Sequence, residues 1–167
     1  MYIKLLTPLD AKEYSELRLE ALRHQPEAFL MTYEEVVDKE NIIDIYREEL
    51  MCENRLTYGA FNYKGDLLGI GTLQLGRQTK IKHKANILAM YVSESGRGLG
   101  IGKRLLKEII LKARSFQIEQ LHLTVVSDND RAKRLYSTMG FKVYGLEERA
   151  LKLGDRYWDE EHMVLYI

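Results

Sequence analysis

The sequence contains little cysteine, little proline and no long apolar run. Cys52 is the one cysteine among 167 residues, and there are two prolines. A single cysteine excludes a disulfide within the chain and fits a reducing compartment. No stretch approaches the roughly 20 apolar residues that a membrane helix needs. The N-terminal segment MYIKLLTPLDAKEY also lacks an apolar core of signal-peptide length. These absences predict a cytoplasmic protein that has no membrane partner.

An excess of either charge is also missing. The chain carries 25 basic and 25 acidic side chains, so its net charge is zero. A broad basic surface for nucleic acid is therefore not indicated. Hydrophobic residues make up 46% and charged residues 30%, the usual mixture of a globular protein. Without repeats or linkers, this length predicts one domain over residues 1–167.

Hydrophobic periodicity predicts an α/β chain in which strands and helices are mixed. Strands are predicted at 2–6, 56–63, 67–75, 83–92, 119–127, 141–145 and 157–167. Helices are predicted from about Asp10 to before Pro26 and over 34–51, 101–115 and 129–140. Asp10 and Glu13 have the spacing of a capping box at the start of the first helix. Ile101, Leu105, Ile109 and Ala113 recur every four residues and form one apolar stripe.

The stretch SESGRGLGIGKRLL links the strand at 83–92 to this striped helix. Glycine occupies every second position, at Gly96, Gly98, Gly100 and Gly102. The first turn of a helix leaves about four backbone amides unpaired at the positive end of the helix dipole. Glycines would let an anion approach those amides, and Arg97 and Lys103 add positive charge. The pattern predicts a pyrophosphate cradle, and the alternative is a tight turn in which glycine only permits close packing.

Two common nucleotide motifs do not fit this stretch. A P-loop requires serine or threonine after its lysine, but Arg104 follows Lys103. A dinucleotide fingerprint has the spacing G-x-G-x-x-G after a first strand, whereas this stretch reads G-x-G-x-G-x-G in mid-chain.

A second motif is NDRAKRLYSTMGF, residues 129–141. Helical spacing places Ala132, Leu135, Tyr136 and Met139 on one face, and Asn129 begins the helix. By itself this pattern suits a buried aromatic residue and a helix cap.

Together the two motifs resemble the GCN5-related N-acetyltransferase (GNAT) superfamily. The motif R/Q-x-x-G-x-G/A corresponds to Arg97–Gly102, and N-x-x-A-x-x-L-Y-x-x-x-G-F corresponds to Asn129–Phe141. The order of elements along the whole chain is also similar. The resemblance implies a mixed, mostly antiparallel sheet of six to seven strands with about four helices. It also implies transfer of an acetyl group from acetyl-CoA to a primary amine, without a metal.

The resemblance assigns roles by position. The pyrophosphate would lie on the amides of Arg97, Gly98, Leu99, Gly100, Ile101, Gly102 and Lys103. Backbone groups of Met90, Tyr91 and Val92 would pair with the pantetheine arm, and Asn129 would also contact that arm. Tyr136 would point at the sulfur, where a phenol can protonate the departing thiolate as general acid. A backbone amide of the central strand is the candidate donor to the developing oxyanion.

The general base is left open by the sequence. Many relatives have a glutamate near the start of the central strand, where this chain has Asn86, which cannot act as a base. Glu34, Glu35, Asp128 or solvent are the alternatives. The four histidines show no metal-ligand spacing, so no metal site is predicted.

The acceptor is not identified by the sequence either. The segments 28–35 and 154–163 are candidates to line its pocket, because loops carry specificity. Four aromatic residues are candidates for its wall, or for ordinary packing: Phe29, Tyr33, Tyr157 and Trp158. The acidic run of residues 159–161 would favour a cationic amine, or is solvated surface. The expected acceptor is a small molecule, an amino acid or a peptide N-terminus. The alternative function is a non-catalytic acyl-CoA-binding module. A homodimer is left open.

Overall fold

The computed structural model describes residues 1–167 and is built around one seven-stranded sheet. The strands are β1 Tyr2–Leu5, β2 Arg55–Phe61, β3 Leu67–Leu75, β4 Lys84–Val92, β5 Gln120–Val126, β6 Lys142–Leu153 and β7 Arg156–Tyr166. The helices are α1 Ala11–His24, α2 Glu34–Val37, α3 Ile42–Leu50, α4 Ile101–Ser115 and α5 Asp130–Thr138. No helix combines the length and the apolar character needed to cross a membrane.

The strands lie in the order β1-β2-β3-β4-β5-β7-β6. Every neighbouring pair is antiparallel except β4 and β5, which are parallel. This arrangement confirms the mixed, mostly antiparallel sheet expected from the sequence. Five helices are present instead of about four, because one predicted helix is divided in two.

Apolar side chains cover both faces of the sheet. On one face the buried stripe of α4 packs against β-strand residues such as Leu121 and Met163. On the other face α1 and α3 enclose a second cluster that includes Tyr14, Ile70 and Tyr91. Ile101, Leu105, Ile109 and Ala113 are all buried, as their four-residue spacing predicts. The sheet is therefore the middle layer between two groups of helices.

Three local predictions were wrong. The helix predicted over 34–51 is interrupted at residues 38–41, where the polar sequence Asp-Lys-Glu-Asn offers no apolar side chain to bury. Asp10 does not pair with Glu13; its carboxylate accepts hydrogen bonds from the Thr7 amide and hydroxyl, at 2.8 and 2.9 Å. The strand predicted at 141–145 extends to Leu153, because pairing with β7 supports a mostly exposed sequence that includes the charged run Glu147–Arg149.

The two parallel strands at the centre pair only at one end. Residues Lys84–Asn86 of β4 lie opposite Gln120–His122 of β5, and no further pairs follow. Further along β4, its register with β3 shifts, and Ala89 adopts a positive φ of 53° within this bulge. Such a bulge bends a strand and increases its twist. A gap therefore opens between the C-terminal halves of β4 and β5.

The buried stripe of α4 predicts a contrast between two leucines of the same helix. Leu106 is fully buried, whereas Leu111 is 58% exposed. We expect Leu106→Ala to lower the free energy of unfolding by about 2–5 kcal/mol, because it removes packed methyl groups and leaves a cavity. Leu111→Ala is the matched control and should change it by less than about 1 kcal/mol. Urea denaturation of both variants measures this difference, and equal losses would contradict the assigned helix face.

Candidate functional site

A cavity of about 710 Å³ occupies the gap between β4 and β5. Its walls are the C-terminal half of β4, the end of β5, the glycine loop, α5 and the segment after α1. The cavity thus lies where the sheet separates, and both sequence motifs contribute to it.

The glycine loop presents unpaired backbone amides at the start of α4. The first hydrogen bond of this helix runs from the Arg104 amide to the Gly100 carbonyl, at 3.1 Å. The amides of residues 98–103 donate to no backbone acceptor. Gly98 and Gly100 have φ of +80° and +72°, and an added Cβ at either would meet no protein atom within 4 Å. The loop is therefore a backbone concavity whose shape requires glycine at these two positions.

The other two glycines of the loop serve packing. A Cβ on Gly96 would lie 2.9 Å from Ile101 Cδ1, and a Cβ on Gly102 would lie 3.0 Å from Leu135 Cδ2. The two explanations for the stretch thus apply to different glycines, the cradle to the inner pair and close packing to the outer pair. Gly98 and Gly100 shape an open concavity, while Gly96 and Gly102 permit close contact with the core.

Cations surround this end of the cavity. Arg97 and Lys103 line it as expected, and Arg131 of α5 joins them. Arg97 is held 3.6 Å from Glu94 by a weak, exposed ion pair. Arg131 was not predicted from the sequence; its place in the first turn of α5, two residues after Asn129, was the available signal. Leu99 does not line the cavity, and its side chain is exposed.

The edge of β4 that faces the cavity lacks a strand partner. Tyr91 and Val92 pair with Ile70 and Gly69 of β3 on the opposite edge. Met90, Tyr91 and Val92 all line the cavity, and none pairs with β5. An extended ligand can therefore add to this edge as a further strand.

Tyr136 of α5 lies in the cavity wall and is only 7% exposed. Its ring packs edge-to-face on Phe141 at 5.9 Å. Burial, with no hydrogen bond to the hydroxyl, raises the pKa of Tyr136 to about 12. The phenol therefore keeps its proton at neutral pH and is free to donate it to a ligand.

Asn129 has a structural role that the sequence already suggested. Its Oδ1 accepts a hydrogen bond from the Ala132 amide at 3.1 Å and caps α5. The residue also lines the cavity, so the cap does not remove it from the site. Its side-chain Nδ2 makes no hydrogen bond within the protein.

The four aromatic residues proposed for an acceptor pocket do not come together. Phe29 lines the main cavity, but Tyr33, Tyr157 and Trp158 do not. Tyr33 is covered by the guanidinium of Arg23, 4.6 Å from the ring centre. Tyr157 lies on the β6–β7 hairpin, outside the main cavity. Trp158 lines a separate cavity of about 200 Å³. The positions of these four residues in segments 28–35 and 154–163 did not indicate that they lie apart in the structure.

The acidic residues considered as bases also lie outside the main cavity. Glu34 and Glu35 are exposed on α2, and Glu35 accepts a hydrogen bond from the Thr32 amide at 2.7 Å. Asp128 lines the smaller cavity, and Asn86 is exposed. The one carboxylate that lines the main cavity is that of Glu160.

In the sequence, Glu160 is distinguished only as one member of the acidic run at residues 159–161. It lies on β7 opposite Val126 of β5, and alternation along β7 gives Glu161 to the other face, where it pairs with Lys133 at 2.8 Å. Burial raises the pKa of the Glu160 carboxyl above its usual range. No cluster of three or more His, Cys, Asp or Glu side chains is arranged to hold a metal ion.

Comparisons with known proteins agree with this geometry. The model of the acetyltransferase (GNAT) family matches residues 13–141. N-alpha-acetyltransferase RimI of Mycobacterium tuberculosis is 36% identical over 86 residues, which are 51% of each chain. The chain thus spans about half the length of the curated relative that it matches.

Two solved structures match over nearly the whole chain. A GNAT-family acetyltransferase from Streptococcus pneumoniae has a TM-score of 0.85 at 22% identity and covers 99% of both chains. An acetyltransferase from Salmonella typhimurium, solved with its cofactor acetyl-CoA, has a TM-score of 0.83 at 21% identity. The match covers 99% of this chain and 93% of that one. These likenesses show the fold, and the family model, which matches most of the sequence, shows that the chain belongs to the acetyltransferase (GNAT) family.

Proposed function

We propose that this protein is an N-acetyltransferase that moves an acetyl group from acetyl-CoA to a primary amine. One observation carries the proposal: a single cavity joins the unpaired amides of residues 98–103, the free edge of β4 and the Tyr136 hydroxyl. Acetyl-CoA supplies the acetyl thioester when it is bound. Its pyrophosphate, its extended arm and its sulfur are the three chemical features that these three walls suit.

The residues present fit the anionic part of acetyl-CoA. The positive end of the α4 dipole and the free amides favour a phosphate at Gly98 and Gly100. Arg97, Lys103 and Arg131 add formal positive charge at the same end of the cavity. Met90, Tyr91 and Val92 would hold the pantetheine arm through backbone groups, and the amide nitrogen of Asn129 is available to it.

Two proton transfers complete the proposed reaction. Tyr136 donates its phenolic proton to the departing sulfur, because the raised pKa keeps the phenol protonated. Glu160 receives the proton that the attacking amine loses, directly or through a water molecule. Its raised pKa brings this carboxylate closer to neutral pH, where a general base is most effective. The bulge at Ala89 interrupts regular pairing with β3, so backbone amides there are candidates to stabilise the oxyanion.

A non-catalytic acyl-CoA-binding module is the second candidate. It is favoured by Asn86, which stands where many relatives have a basic carboxylate. The presence of Glu160 in the cavity supports the enzyme instead, because this residue supplies a carboxylate from another strand.

We expect CoA and acetyl-CoA to raise the melting temperature, and NAD or ATP to do so much less. A ligand that binds only the native state at about 100 times its Kd adds roughly 2.7 kcal/mol. Differential scanning fluorimetry measures the shift, and release of free thiol in the presence of an amine panel measures turnover. No shift with millimolar CoA would contradict the proposed cofactor, whereas a shift without turnover would favour the binding module.

We expect Gly100→Ala to weaken CoA binding by at least about tenfold, or about 1.4 kcal/mol. The new methyl group would occupy the open concavity where the pyrophosphate lies. Gly154→Ala is the matched control, because Gly154 also has a positive φ, +58°, and open space, but lies on the β6–β7 hairpin. Both variants should lose about 1–2 kcal/mol of unfolding free energy from backbone strain. Isothermal titration with CoA separates them, and equal Kd values would place the cradle elsewhere.

We expect Tyr136→Phe and Glu160→Gln each to lower kcat by about 10²- to 10⁴-fold without changing the Kd for CoA. Tyr166→Phe and Glu148→Gln are matched controls at exposed positions outside the cavity. Steady-state kinetics with a working amine, together with CoA titration, measures both quantities. Unchanged turnover, with the chemical step shown to be rate-limiting, would return Tyr136 to a purely packing role.

The pH dependence of kcat follows from the same two residues. A base must be deprotonated, so kcat should rise with pH through the pKa of Glu160, which is above its usual range. Tyr136 must stay protonated, and with a pKa of about 12 it should cause no decline below that pH. In Glu160→Gln the rising limb should disappear; its persistence would assign it to another group.

A further inference from the structure

Two arginines line the cavity away from the glycine loop: Arg18 of α1 and Arg55 of β2. Each has one buried nitrogen without a hydrogen-bond partner, Nη1 in Arg18 and Nε in Arg55. A buried donor left unsatisfied costs about 1–3 kcal/mol, and more when it is charged. Two such donors in the wall of one cavity therefore call for an explanation.

The surrounding side chains do not neutralise both arginines. Arg55 Nη2 lies 3.0 Å from Glu49 Oε1, and the Tyr14 hydroxyl donates to the same oxygen at 3.1 Å. Arg18 forms no ion pair and lies 4.9 Å over the ring of Phe29. Burial raises the pKa of Tyr46, and the Arg18 guanidinium beside it partly opposes this effect. Glu49 therefore pairs with Arg55, and Arg18 has no carboxylate partner.

This positive charge is distinct from that of the pyrophosphate cradle. Arg55 lies opposite Gln74 of β3, which in turn pairs with Asn86 of β4. Asn86 is on the paired part of β4, and the bulge at Ala89 separates it from Val92 and the glycine loop. Arg18 and Arg55 are therefore at the acceptor end of the cavity. A phosphate bound at Gly98 and Gly100 would not satisfy them.

We infer that Arg18 and Arg55 form an anion-binding subsite for the acceptor, which is a small molecule that carries both a primary amine and an acid group. This inference rests on the proposed function and names its substrate class. The acid group would bind the two guanidiniums, which leaves the primary amine free to face the thioester. Apolar side chains at the same end, such as Phe29, Met31 and Leu88, favour an apolar remainder. A free apolar amino acid has all three features.

The test compares amines that differ only in the acid group. L-Leucine and L-phenylalanine are assayed against L-leucinamide and L-phenylalaninamide, with acetyl-CoA and thiol release as the readout. The amides have the less basic amine, which by itself favours them, so a preference for the acids reports the carboxylate. We expect about a 10- to 100-fold higher kcat/KM for the acids, the range for hydrogen bonds to charged groups. A dipeptide amide whose second residue is aspartate carries its only acid group on a side chain. Its acetylation would show that a side-chain carboxyl can replace the free α-carboxyl.

The variant arm uses Arg18→Gln, because Arg18 has no ion pair to lose. This substitution should raise KM for the acids about 10- to 100-fold. The KM for the amides and the Kd for CoA should not change. Arg18→Lys should recover part of the loss. Arg23→Gln on the same helix, outside the cavity, is the matched control and should behave as wild type.

The outcomes separate the inference from the proposed function. Amides used as well as acids, or equal losses for both in Arg18→Gln, would overturn the subsite and leave the acetyltransferase intact. If no amine is acetylated, the proposed function is wrong. The anion-binding subsite is then tested by ligand binding alone. The melting temperature of the CoA-saturated protein should rise with leucine more than with leucinamide; equal shifts would overturn the inference.

Discussion

The incomplete pairing of β4 with β5 is the constraint on which the site depends. Three residues of each strand pair, and then the strands separate around the bulge at Ala89. Full pairing would satisfy both edges and leave no space. Because the strands part, the sheet keeps one unpartnered backbone edge in its interior, with a cavity beside it. Such an edge is costly to leave without hydrogen bonds, so the fold itself favours an extended ligand.

The elements around the gap divide the cavity into two chemical ends. Loop and helix starts form the proposed cofactor end, where backbone amides and three cations line the space. Helix α1 and strand β2 supply the two arginines of the proposed acceptor subsite, and strand β7 supplies Glu160. Tyr136 lies between the ends in a wall that is otherwise apolar. Burial raises the pKa of both Tyr136 and Glu160, so the phenol is protonated at neutral pH and the carboxylate is a stronger base, as the proposed roles require.

Sequence patterns predicted most of the strands and the two motifs that line the cavity, because those features are local. The stripe of α4 and the two motifs each occupy one short stretch, so spacing alone identifies them. The acceptor end is assembled from distant positions. Arg18 and Arg55 are 37 positions apart, and no periodicity links them to Glu160. The aromatic residues of segments 28–35 and 154–163 were grouped by residue type, but strand register sends Tyr157 and Trp158 elsewhere.

The different roles of the outer and inner loop glycines have a consequence for the interpretation of variant libraries. In an activity screen the whole stretch would appear uniformly intolerant. Substitutions at Gly96 and Gly102 crowd the core, so they would reduce the amount of folded protein in the cell. Substitutions at Gly98 and Gly100 add atoms to open space, so their structural cost is the backbone strain of a positive φ, and more of the variant protein would persist while remaining inactive. Abundance, measured beside activity, would therefore distinguish the two inner glycines from the two outer ones, along a loop that activity alone presents as a single block.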